Sequence, residues 1–153
     1  MLSQQSSRKT EGSSKMAHPE MDTLLDEGLR VAIHFLEKNG EFFPFGVTMA
    51  PDGSVAHTQG YTGDECPPSL ELIDLLLRGF KTGAATGDYK SVALISDVRI
   101  SLDGKTKTDA ISVTVEHIDD QPVTCFLPYT KTNGTIDFGE IIAERAEPRV
   151  FDK

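Results

Sequence analysis

The side chains best suited to nucleophilic, acid–base or metal chemistry in this 153-residue chain are two cysteines and four histidines. Cys66 lies in Asp64-Glu65-Cys66-Pro67-Pro68, just ahead of an expected helix. Oriented N–H groups at a helix N-terminus lower a thiol pKa and sharpen its nucleophilicity. Asp64 and Glu65 push the other way. Cys66 is therefore the candidate redox-sensitive or nucleophilic residue, set against the plainer reading of an ordinary loop cysteine. Cys125 sits among Val123, Thr124, Phe126 and Leu127 and reads as a small packing residue. The two cysteines lie in segments of different character, and a reduced pair in a reducing compartment is expected.

Of the histidines, His34 falls on the polar face of a helix, while His57 and His117 fall on strands. Glu116 adjoins His117, but successive strand residues point to opposite faces, so the two do not form one site. A metal centre needs three or four converging ligands. Spacing gives no support for joining His57, His117 and an aspartate, so neither metal nor cofactor is expected. Asp52, Asp103, Asp119 and Asp120 occupy turns that favour aspartate in any case, without the spacing of a calcium loop. There is no Walker-type glycine loop, no dinucleotide fingerprint, and no HExxH, CxxC or GxSxG.

The elements that must position these residues are legible from periodicity. Met21, Leu24, Leu25, Gly28, Leu29, Ala32, Phe35 and Leu36 recur at helical spacing after Pro19, opposite Asp26, Glu27, Arg30, His34 and Glu37. Asn39-Gly40 stops this helix. Phe42 to Met49 reads as a strand with Pro44 near its beginning, and Pro51-Asp52-Gly53 turns it into a return strand from Ser54 to about Gln59. A second helix is capped by Ser69 or earlier by Asp64. Its stripe is Leu70, Ile73, Leu76, Leu77 and Phe80, widened by Leu72 and Leu75, and Thr82-Gly83 closes it.

Strands follow. Val92, Leu94, Val98, Ile100 and Leu102 share one parity and Ala93 and Ile95 the other, which predicts a strand covered on both faces at its start. Ile111, Val113 and Val115 alternate with Ser112, Thr114 and Glu116 as in a half-buried strand. Val123 to Tyr129 is a further strand bounded by Pro122 and Pro128, and Asn133-Gly134 marks a hairpin. Residues 136–146 fit either a strand or a short helix. Among the aromatic residues, Phe42, Phe43 and Phe45 cluster around Pro44, and packing in the core is the favoured reading. Phe43 and Phe45 share a parity while Phe42 points away, so Phe42, if exposed, is the candidate binding residue.

Twenty-four acids against fifteen bases give a net charge of −9. That disfavours nucleic acid and anionic membranes and permits a basic protein partner. No apolar run approaches a membrane span, and no secretory leader is visible, so a cytoplasmic location is expected. Residues 1–17 are polar and read as a disordered tail ahead of one domain at 18–153; Met16 is an alternative start. The expected fold is α+β: two helices and an antiparallel sheet of five or six strands, in the order α-β-β-α-β-β-β with a further strand if 136–146 is extended. This order is similar to that of profilin-like and roadblock/longin-like domains over roughly residues 19–130. The resemblance is one of topology, rests on no motif, and carries no functional residue across. The expected role is a non-catalytic protein-interaction module or homodimer. The alternative is a small enzyme or ligand binder using Cys66 or a cleft between helix and sheet.

Overall fold

The computed structural model describes residues 18–59 and 69–151; the N-terminal tail and Cys66 lie outside the described residues. The order is α1 (Pro19–Asn39), β1 (Phe45–Met49), β2 (Val55–Gln59), α2 (Ser69–Ala85), β3 (Ser91–Ser101), β4 (Lys107–His117), β5 (Asp120–Thr132), β6 (Thr135–Phe138) and β7 (Ile142–Arg145). The fold is α+β, as expected, but with seven strands rather than five or six. Residues 136–146 supply strand and not helix.

The strands form one antiparallel sheet in the order β2-β1-β3-β4-β5-β6, with β7 also paired to β5. Helix α1 lies on one face. Its Met21, Leu24, Ala32 and Leu36 pack against Val47, Ile95, Val113 and Val115 in the main core. Gly28 permits the approach: a Cβ there would lie 2.8 Å from Ile95 Cγ1. Helix α2 covers the other face over β1 and β3, where Leu76 and Phe80 meet Val92, Leu94, Val150 and Phe151. Coverage by both helices leaves β1 buried throughout and β3 buried from Ser91 to Ser96, after which exposure alternates. The expected double cover of β3 is thus present.

Several local expectations need correction. The ladder begins at Phe45, so Phe42 does not obey strand alternation. Phe42 turns into the core, 8% exposed and edge-on to Phe45, while Phe43 is the outward ring at 44%. Helix α2 buries Leu72, Leu76, Phe80 and Gly83, leaving Leu70 81% exposed. It also runs past Gly83. The amides of Gly87 and Asp88 bond back to Ala84 and Gly83, and Gly87 supplies the left-handed residue that ends it. β4 is more than half-buried, because Ser112 and Glu116 on the second parity are also covered.

Finally, β5 runs through both prolines. The carbonyl of Pro128 accepts from Gly139 N–H at 2.8 Å and that of Pro122 from Ala146 N–H at 3.1 Å. Both prolines therefore turn their backbone toward the β6–β7 side. Pro128 meets the break between β6 and β7, and Pro122 lies one residue past the end of the β7 pairing, so neither missing N–H interrupts a ladder.

Candidate functional site

The N-terminus of α1 gathers the strongest cluster of titratable groups among the described residues. His18 caps the helix: its Nδ1 accepts from Glu20 N–H at 3.2 Å, with Pro19 in the first turn. His117 ends β4 on the α1 face and is 1% exposed. Its Nδ1 accepts from Asp119 N–H at 3.0 Å, which leaves its proton on Nε2. That Nε2–H donates to Glu20 Oε1 at 2.8 Å, and Lys90 Nζ reaches Glu20 Oε2 at 2.6 Å. The two imidazoles stack, with centroids 3.9 Å apart. The hydrogen bond from His117, followed by that from Lys90, holds the Glu20 carboxyl down to about 2.

His18, Glu20 and His117 bring three potential ligand atoms within 4.8 Å of one another. A metal on an Nε2 atom requires the ring proton on Nδ1. Here both Nδ1 atoms already accept backbone N–H bonds, and Lys90 holds the second oxygen of Glu20. The donor set fits an ion pair that fastens the first turn of α1 to β3 and β4, not a cation.

His57 and His117 are not brought together. His57 faces α1 from β2 and pairs with Glu27, seven residues beyond Glu20 and so about 10 Å along the helix. Arg30 binds both oxygens of Glu27, and this bond, with that of His57, lowers the Glu27 carboxyl to about 2. These groups line a groove of about 480 Å³ with Thr23, Asp26 and Val55. A His–carboxylate pair can serve as a general base, but the hydroxyl in the groove, Thr23, donates back to Pro19 O. A second cleft, of about 140 Å³, lies between α2 and the sheet at Thr58, Leu75, Leu76 and Phe80. It is smaller than an ordinary ligand pocket and holds no acid–base pair.

Glu116 and His117 do point to opposite faces. The buried Glu116 carboxylate accepts three backbone amides of the C-terminal segment, from Arg149 (3.0 Å), Val150 (3.0 Å) and Phe151 (3.3 Å). This clamp seats Val150 and Phe151 against α2. Cys125 is buried under α1, and burial pushes its thiol up to about 11, so it is not a nucleophile at neutral pH. Tyr129 O–H donates to Asp97 at 2.7 Å on the same face. Sequence reasoning passed over Glu20, Lys90 and the clamp, because each acts through a partner far away in the chain.

The remaining feature is the outer edge of the sheet. Since even-numbered residues of β5 turn their backbone toward β6 and β7, Thr135, Asp137, Ile142 and Glu144 face β5. Ile136, Phe138, Ala143 and Arg145 therefore direct N–H and C=O away from the sheet. Among the described residues no strand pairs with them. Phe138, Ile141 and Ile142 are all exposed there, Ile141 to 48%. Phe138 stands on the α1 side beside Tyr129, and Ile142 on the other side in register with Phe126. No family model, curated protein or solved structure matches the chain. Among the described residues no helix is long and apolar enough to cross a membrane.

Proposed function

We propose that this protein is a non-catalytic interaction module that holds another polypeptide along the β6–β7 edge. The observation that carries this reading is the edge itself. It has four residues with outward-turned backbone groups and three exposed apolar side chains within five positions. Natural sheets blunt or cover such edges, because an open edge is a template for an added strand. The edge has some charged residues, but it keeps its apolar side chains outside, which suits a surface that is covered in use. The histidine cluster and the Glu116 clamp are structural on this reading: they fix α1 and the C-terminal segment so that the sheet behind the edge is rigid.

The test is a photo-crosslinking residue placed at Ile142 in the full chain, in cells, with Arg78 on the outer face of α2 as control. The proposal expects a protein adduct from position 142 and none from position 78. Equal adducts from both positions, or none from position 142, would reject it. An adduct to a second copy identifies a homodimer; an adduct of another mass identifies a distinct partner.

A further inference from the structure

We infer that the occupant of the β6–β7 edge is an extended strand rich in lysine or arginine, rather than a second copy of this chain. The inference rests on the interaction reading above and adds the chemistry of the partner. From Asp137 to Glu147 the chain carries four acids, Asp137, Glu140, Glu144 and Glu147, against the single base Arg145. Among the described residues none of these four carboxylates has a cation within ion-pair distance. Glu20, Glu27, Asp74 and Asp109 are each matched to a basic side chain, while other acids among the described residues, such as Glu37, Glu41 and Glu71, are not. What marks the edge is that unpaired backbone, unpaired negative charge and exposed apolar side chains coincide in one strip.

The geometry sets where the partner's charges fall. A strand added outside β7 runs its side chains alternately along the two faces of the sheet. On the face away from α1 it passes Ile142 and Glu144, and at the break it passes Glu140 and Ile141. Aliphatic stems with cationic heads satisfy both kinds of neighbour, since lysine and arginine can lay their methylenes on apolar surface and extend the charge beyond it. A second copy meets the apolar side chains but not the charge. It brings another strip with the same acid excess, and each protomer already carries nine net negative charges, so the paired edges repel.

The test uses the full chain and two synthetic ten-residue probes, one alternating lysine with valine and one alternating glutamate with valine. Binding is read by calorimetry at two salt concentrations and by backbone amide exchange. The inference expects saturable one-to-one binding of the lysine probe, at least tenfold weaker binding of the glutamate probe, and weakening with added salt. It also expects slowed exchange at Phe138, Ala143 and Arg145. Ala143→Pro removes an outward N–H without touching the β5 ladder and should abolish binding. Glu140→Lys with Glu144→Lys should weaken the lysine probe at least tenfold. Lysine-probe binding that is unchanged in Ala143→Pro would show mere attraction to an acidic protein and overturn the inference. Equal binding of both probes, or no saturable binding at millimolar concentration, would do the same. If sedimentation shows a dimer that Ala143→Pro dissociates, the basic-partner inference falls while the interaction reading stands.

Discussion

At the scale of single residues, two buried or half-buried acids organise the molecule. Glu20 is ionised because His117 and Lys90 both donate to it, and its carboxyl lies near 2 against about 4.5 for a free glutamate. A carboxyl depressed in the folded state stabilises above its unfolded pKa, and this contribution is lost as pH falls toward the folded value. Stability should therefore decline as pH drops from about 4.5 to about 2, with Glu27 adding to the same window. Glu20→Gln should flatten that decline in an acid-unfolding series followed by circular dichroism; an unchanged curve would remove Glu20 from the account. Glu116 works differently, as an acceptor for three amides. Glu116→Ala leaves those buried N–H groups without partners and should cost about 3 kcal/mol in denaturant unfolding. Sequence spacing identified His117 and Glu116 as residues of opposite faces. It gave no sign of their partners, which lie 97 and about 35 positions away along the chain.

At the scale of elements, helices and hairpins were read from local pattern because local pattern determines them. The α1 stripe, the Asn39-Gly40 stop and the Asp-Gly and Asn-Gly turns all appear where the residue types place them. The misreadings share one cause: packing overrides local preference. Leu70 lies outside α2's buried face, which runs through Leu72, Leu76, Phe80 and Gly83, with Ile73 and Leu77 packed beside it. Pro122 and Pro128 do not end β5, because each lies just outside the β6 and β7 pairings, where its carbonyl accepts a bond and its missing N–H is not called on. The same logic yields two predictions. Gly28→Ala should improve helix propensity yet destabilise by about 1–3 kcal/mol, because the new methyl meets the fully buried Ile95. Equilibrium denaturation measures it, and a gain in stability would mean that α1 stands farther from the sheet than described. Ala143→Pro should change stability by about 1 kcal/mol or less, since only an outward N–H is lost. A large drop in its melting temperature would show that Ala143 bonds into the sheet.

At the scale of the whole molecule, the sheet has two differently finished edges. β2 lies beside α1, and His57 ties it to Glu27 on that helix. Ile136 at the start of the β6–β7 edge packs against the main core, while Phe138, Ile141 and Ile142 stand exposed. The α+β class and the acid excess were visible in composition and element order. The exposed β6–β7 strip was not, because it is made by the last strands, whose pattern in 136–146 fits strand or helix equally well in one dimension. Phe42, the aromatic residue that alternation placed outside, is in the core. The exposed apolar strip lies instead at Phe138, Ile141 and Ile142, which no local alternation singles out.

Its most direct measurement compares photo-crosslinking from Ile142 in the wild-type chain and in Ala143→Pro, at equal cellular abundance and with melting temperatures checked in parallel. If the edge holds a strand, the wild type gives a discrete protein adduct, and the proline variant loses it at least tenfold while melting unchanged. An adduct of undiminished yield in a folded Ala143→Pro variant would show that contact at Ile142 does not use the backbone of the edge, and would contradict the account.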